Sequence, residues 1–275
     1  MILIGADPEL FAVDEKNNPV SVHDLIQGDK WSPVKVPHGA IQVDGVAAEF
    51  NIDPAASFDE FKRNIRHVQR LLDLSVMAKN SKLRLVAQPS VFFTESYLNS
   101  LPITVRELGC NPDFNAYSGK ENVKPNAASN MRTGAGHVHV SWFDTIDDLA
   151  INKKHFKDCC EIVKALDITV GEHSTVWDSD TKRQSLYGAP GAFRPKDYGL
   201  EYRVLSNAWL NQEWTMQFVY EAVKATVERW LEGFDFNTLF KSARTYSQKL
   251  AAIESAKIPS IRQFAPSGVL EHVAA

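Results

Sequence analysis

The chain has 275 residues, enough for one large domain or two small ones with a sizeable core. Hydrophobic residues make up 44% and charged residues 23%, an ordinary globular mixture. The formal net charge of −4 argues against a broad, sequence-independent grip on nucleic acid.

In chain order, Ile2 to Val13 reads as a strand, and "DEKNN" turns into a second short strand near Pro19–Val22. His23 to Gly39, rich in Gly, Pro and Asp, reads as a loop. Ala40 to Ile52 reads as a strand pair or a bent strand, with Gly45 supplying the turn or bulge. Ser57 and Glu60 stand at capping-box spacing. Phe58, Phe61, Ile65, Val68, Leu72 and Val76 then recur at helical steps, so a helix is expected to end near Asn80–Ser81. Leu83 to Phe93 reads as a strand interrupted by Pro89. Leu98 to Gly134 is long, polar and turn-rich. A segment of that kind is functional or carries small elements of its own, and it is a candidate specificity element.

"GHVHVSW", Gly136 to Trp142, reads as a strand, and Asn152 to Ala165 as a helix. Gly171 to Gly199 is expected to be irregular, and "LEYRVL", Leu200 to Leu205, a strand. Gln212 to Leu231 is expected to be helical, with Trp214, Phe218, Ala222 and Ala225 on one face; a further helix spans Phe236 to Ser255. The fold class expected is therefore α+β: a single domain over 1–275, a mostly antiparallel or mixed sheet, and a helical part at about 212–260.

The three cysteines, Cys110, Cys159 and Cys160, form neither a disulfide framework nor a zinc motif. They read as small buried hydrophobes in a reducing cytosol. "MILIGADPEL" meets acidic residues too early for a signal peptide, and no apolar run approaches the ~20 residues of a membrane span. The expectation is a cytoplasmic protein with no membrane or nucleic-acid partner.

Alternate residues of a strand share a face. His137, His139 and Ser141 therefore point one way, and Val138, Val140 and Trp142 the other. Asp7 and Glu9 share a face, as do Glu49 and Asn51, and Glu201 and Arg203. Taken singly, each pattern is equally an ordinary polar strand face. Brought side by side in one sheet, these strands make a carboxylate-rich face that repels itself unless cations bind. Oxygen ligands with an imidazole suit Mg²⁺ or Mn²⁺, and two such ions suit ATP phosphates. Arg183, Ser185, Tyr187 and Arg194 add anion-binding groups in a loop rich in Gly and Pro, which also fits a plain basic surface loop. No phosphate loop of the G-x-x-x-x-G-K-[ST] type, no G-x-S-x-G and no H-E-x-x-H occurs.

The ordered set "GADPELF", "VDGVAAEFN", "GAGHVHVSW" and "YGAPGAFRPKDYGLEYRVLSNAW" resembles the phage-encoded COOH–NH2 ligases of type 2, within the glutamine synthetase and glutamate–cysteine ligase superfamily. These segments cover about a fifth of the chain but run from residue 5 to about 209. The resemblance implies a curved antiparallel half-barrel backed by helices. It also implies an ATP-dependent ligase that joins a carboxylate to an amine through an acyl phosphate, with ATP and two or more Mg²⁺ or Mn²⁺ ions.

Carried over by position, the resemblance implies metal ligands at Asp7, Glu9, Glu49, His137 and Glu201. It places His139 nearer the nucleotide phosphates; the anion-binding groups Arg183, Ser185 and Tyr187, read from the residues themselves, are expected on the cofactor side. Arg203, Arg194 and Glu201 are the implied catalytic groups. Asp7 stands where many relatives have Glu. Asp44, five residues before Glu49, falls on the opposite face unless Gly45 makes a bulge. The chain is much shorter than glutamine synthetase, so that enzyme's ring assembly does not carry over and oligomerisation stays open.

Substrates of the implied reaction are small-molecule, peptide or protein carboxylates and amines. Two rivals remain: a phosphotransferase of the guanidino-kinase type, and a nucleotide-binding or virion-associated protein without turnover.

Overall fold

The computed structural model describes residues 1–106, 113–123, 130–142, 153–237, 241, 243 and 245–270. A large, mostly antiparallel, curved and open sheet is backed by helices, the expected α+β class. Its central strand is β1 (Leu3–Val13). On one side lie β5 (Ala47–Ile52), β4 (Gly39–Asp44) and β3 (Val34–Val36). On the other lie β11 (Gly136–Ser141), β13 (Gly199–Tyr202), β12 (Ala192–Lys196), β8 (Phe114–Asn115) and β9 (Lys120–Glu121). β2 (Pro19–Val20) and β6 (Arg84–Val86) pair with the far end of β1.

The two-residue alternation of the sequence divides this sheet into faces. Ile4, Ala6, Leu10, Val138, Val140, Leu200 and Tyr202 are buried on the helix side. There they meet α1 (Phe58–Lys79), α4 (Lys153–Thr169) and α6 (Glu213–Leu231). Phe61, Ile65, Val68, Leu72 and Val76 are all fully buried along one stripe of α1. Each such side chain contributes about 2 kcal/mol relative to exposure. Ser57 caps α1 by accepting from Glu60 N, and the Glu60 carboxylate reaches back to Ala56 N at 3.0 Å, one residue earlier than a capping box requires. Gln212 is the N-cap residue of α6, whose Phe218 and Ala222 are buried while Trp214 and Ala225 are partly so.

Several expectations change in detail. The segment 40–52 is a hairpin whose turn is Gly45 and Val46, with Gly45 at φ +57°. The expected loop 23–39 carries the short strand β3. The expected strand Leu83–Phe93 splits: β6 joins the main sheet, and β7 (Ser90–Phe92) pairs with β10 (Met131–Thr133) in a separate two-stranded sheet. Pro89, without an N–H, separates them. The expected loop 98–134 carries α3 (Ile103–Arg106), β8, β9 and β10, and α2 (Glu95–Ser100) runs into its start. Its residues 107–112 and 124–129, with Cys110, lie outside the described residues, as does Asn152, where the next helix was expected to begin.

The expected irregular stretch 171–199 holds a 3-10 turn (Gly171–Val176), α5 (Thr181–Leu186) and β12. Regular pairing in "LEYRVL" stops at Tyr202. Beyond it the Arg183 guanidinium bonds the carbonyls of Val204 and Leu205, at 3.1 and 2.9 Å, and Leu205 O also accepts from Gly136 N at the start of β11. Of the last expected helix, Tyr246–Ser255 is helical (α7), with Thr245 capping it; 238–240, 242 and 244 lie outside the described residues. Cys159 and Cys160 are free and buried.

Gly136 opens β11 where a Cβ would lie 2.3 Å from Ser206 O and 2.5 Å from Trp209 Nε1. Its missing side chain lets Trp209 donate to Gly136 O at 2.9 Å and stack on Phe61. That contact ties the strand bearing both histidines to the helical layer. Among the described residues, no helix is long and apolar enough to cross a membrane.

Candidate metal centre on the open face of the sheet

The face away from the helices gathers the sequence-selected side chains on adjacent strands. Asp7 stands opposite His137, Glu9 opposite Glu49, and His139 between Gly5 on β1 and Glu201 on β13. Arg194 stands opposite Glu201 on the other side. Residues scattered over nearly 200 positions thus meet because antiparallel register aligns their shared parity.

Two groups of ligand atoms form. In the first, Asp7, His139 and Glu201 each present an atom within 4.8 Å of the others. His139 Nε2 is 3.2 Å from Asp7 Oδ1, yet among the described residues neither atom makes a hydrogen bond, and both are buried. The contact is close but not aligned as donor and acceptor, so both atoms face a common space. Unpartnered buried polar atoms are costly, and a divalent cation would satisfy both. The second group is Glu9, Asp44 and Glu49.

Electrostatics separates the two groups. Burial, then Asp44, pushes Glu9 up to about 8, and burial beside Asp7 and Glu9 pushes Glu49 well above the usual carboxylate range. Among the described residues no ion pair reaches this group; Glu9 accepts from Ala135 N at 2.9 Å, and that bond and Arg203 offset its burial only in part. Glu201 is fully buried but surrounded by cations. Arg203 Nη1 meets its Oε1; Arg194 Nη1 and Lys196 Nζ meet Oε2 at 3.1 and 2.8 Å. Burial and Asp7 work to raise the Glu201 pKa; His137, Arg203 and His139 outweigh them and hold it at about 2. Burial likewise opposes ionisation of Asp7, and the facing imidazoles of His139 and His137 hold it well below the usual range.

Both histidines border the first group. His137, expected as the metal ligand, is not one of its three members but lies against the same carboxylates. Its Nδ1 lies 3.3 Å from Asp7 Oδ1, 3.4 Å from Glu201 Oε1 and 3.3 Å from Arg203 Nη1, and burial and Arg203 lower its pKa. The geometry puts His139, expected at the phosphates, in the metal-competent group. Asp44 joins the second group without a bulge. Gln42 pairs with Glu49 across the hairpin, and Asp44, two residues on, shares that face. Counting parity straight through the turn misassigned it.

The residues expected on the cofactor side do not converge. Arg183 is buried and spends two of its donors on main-chain carbonyls. Ser185 is exposed and bonds Lys182 O within its own helix turn, which takes it out of the site. Two clefts flank the ligand groups. The smaller encloses about 110 Å³ and is lined by Glu9, Asp44, Asp113, Arg132, Tyr187 and Arg203 among others. The larger encloses about 460 Å³ and is lined by Leu3, Gly5, Ile52, Pro54, His139 and Tyr198, with Asn51 and Ser141. Arg183 and Tyr187 border the first cleft and His139 the second.

Three site residues escaped the sequence reading. Lys196 was legible as the same-face neighbour of Arg194 on β12. Asp113, 3.1 Å from Arg203 Nε, and Tyr198, 2.5 Å from His139 Nδ1, carry no local signal because only the tertiary fold brings them in. Compared with known proteins, the chain matches no family model and no curated protein sequence.

Proposed function

We propose that this protein is an ATP- and divalent-metal-dependent ligase that joins a carboxylate to an amine, working in a reducing cytoplasm. The observation that carries the reading is the unpartnered pair Asp7 Oδ1 and His139 Nε2, set between an un-neutralised acid group and three cations. The resemblance of the ordered segments to the type 2 COOH–NH2 ligases supports the same reading.

Oxygen-rich ligation with one imidazole suits Mg²⁺ or Mn²⁺. Asp7 and His139 would hold one ion with an oxygen of Glu201, and Glu9, Asp44 and Glu49 a second. Bound ions would neutralise and orient phosphate oxygens. The larger cleft, within the 300–1,000 Å³ range usual for small-molecule sites, is assigned to the nucleoside, its apolar wall being Leu3, Ile52 and Pro54. The smaller cleft, with Arg132 and Arg203, is assigned to the carboxylate substrate.

In the first step the carboxylate attacks the γ-phosphorus of ATP, giving an acyl phosphate and ADP. Arg194, Lys196 and Arg203 stabilise charge on the transferring oxygens. In the second step a neutral amine attacks the acyl carbon, phosphate departs, and the nitrogen loses a proton to give the amide.

The test is a screen of amino acids and peptides for ADP release with ATP and Mg²⁺, with product masses. Loss of one water between two substrates is expected. A lasting phosphoadduct would instead establish a phosphotransferase, and absence of Mg²⁺-dependent ATP binding by calorimetry would overturn both.

A further inference from the structure

Tyr198 belongs to the two-residue connection, Asp197 and Tyr198, between β12 and β13, whose ends pair as Lys196 and Gly199. Gly199 lets this turn press against β11, since a Cβ there would lie 2.0 Å from Val140 O. The turn therefore delivers the Tyr198 ring over the strand that carries His139. The two ring centres lie 6.1 Å apart, and the hydroxyl meets His139 Nδ1 at 2.5 Å.

A hydroxyl can donate to a ring nitrogen or accept from it, so the other nitrogen decides the tautomer. Among the described residues His139 Nε2 has no aligned acceptor, Asp7 Oδ1 lying 3.2 Å away without the geometry of a hydrogen bond. A proton placed there would be poorly satisfied, and buried donors favour an aligned partner. A proton on Nδ1 is received by the Tyr198 oxygen and leaves the Nε2 lone pair facing the space it shares with Asp7 Oδ1.

We propose that Tyr198 is a positioning residue that fixes the orientation and tautomer of His139 so that Nε2 is the nitrogen offered to a divalent cation. This rests on the metal-site part of the functional reading. It asks nothing of the substrate.

The test is Mn²⁺ calorimetry on the full chain without nucleotide, with far-UV circular dichroism as the check on folding. Tyr198→Phe keeps the ring and removes the hydroxyl. It is expected to weaken Mn²⁺ binding by about tenfold or more with an unchanged spectrum. In a His139→Gln background the same substitution is expected to add no further loss to the residual binding at the acid group. With Mg²⁺ present, imidazole ¹⁵N shifts are expected to show His139 protonated on Nδ1.

Unchanged affinity in Tyr198→Phe, an equal loss in both backgrounds, or a proton on Nε2 would each overturn the assignment. If the unsubstituted protein takes up no Mn²⁺, the metal reading falls and this assignment with it. Binding by the unsubstituted protein with no effect of Tyr198→Phe removes this assignment alone.

Discussion

Asp7 Oδ1 and His139 Nε2 lie 3.2 Å apart in the buried floor of the sheet, and neither makes a hydrogen bond with any described residue. Asp7 faces His137 directly across the ladder, and the same oxygen lies 3.3 Å from that ring's Nδ1. Opposite His139 stands Gly5, and both line the larger cleft. The two histidines differ in their remaining neighbours, Arg203 for His137 and Tyr198 for His139.

His139→Ala is expected to weaken Mn²⁺ binding by about a hundredfold or more, since it removes a ligand. His137→Ala is expected to cost clearly less, because that ring faces Arg203 and two carboxylates rather than the open space. Calorimetry on both variants decides it; equal losses would erase the distinction.

Glu201→Gln is expected to abolish ATP turnover and also to destabilise the fold. The carboxylate is fully buried and holds Arg203, Arg194 and Lys196, which would be left facing one another. Removing one partner of a buried ion pair costs on the order of 3 kcal/mol. Chemical denaturation without ligands measures that cost. A variant as stable as the parent would mean the three cations are not held by Glu201.

Stability without metal is expected to fall as pH rises from about 4.5 to 8. Glu9 is raised from 4.5 to about 8, so in that window the folded chain keeps a proton the unfolded chain has released. Each proton of difference is worth about 1.4 kcal/mol per pH unit. Glu49 is displaced in the same direction. Below the window, Asp7 and Glu201, held low, contribute stability that acid removes. A divalent cation binds the ionised carboxylates, so Mg²⁺ or Mn²⁺ should raise the melting temperature more at pH 8 than at pH 5. Equal shifts at both values would contradict it.

Gly5→Val is expected to keep the fold and fill the larger cleft. A Cβ at Gly5 makes only an ordinary contact, 3.5 Å from His139 Cβ, and valine suits a strand. Affinity for ATP is expected to fall at least tenfold, while Mn²⁺ binding changes little. Retained nucleotide affinity would move the nucleoside out of that cleft.

Which side chains share a face was readable from the sequence because parity along a strand is local. It correctly separated His137 and His139 from Val138 and Val140, and Glu201 from Tyr202. The α1 stripe was readable for the same reason, its period being set within one turn. Register, reversal and approach are not local. Asp44 was lost because the hairpin at Gly45 resets the count, and Tyr198 because only a turn pressed on β11 brings it to His139. The surroundings of the two histidines depend on neighbours that no spacing encodes: Arg203 for one ring, Tyr198 for the other.

The strand order also sorts charge. From β4 through β5 to β1 the ionisable side chains of the open face are Asp44, Glu49, Glu9 and Asp7; β11 brings two imidazoles; β12 and the end of β13 bring Arg194, Lys196 and Arg203 around Glu201. Across these strands the charge thus runs from anion to cation, perpendicular to the strands. A ligand with a positive and a negative end is admitted in one direction and repelled in the other. Orientation is written into the pairing of the strands before any loop closes over them.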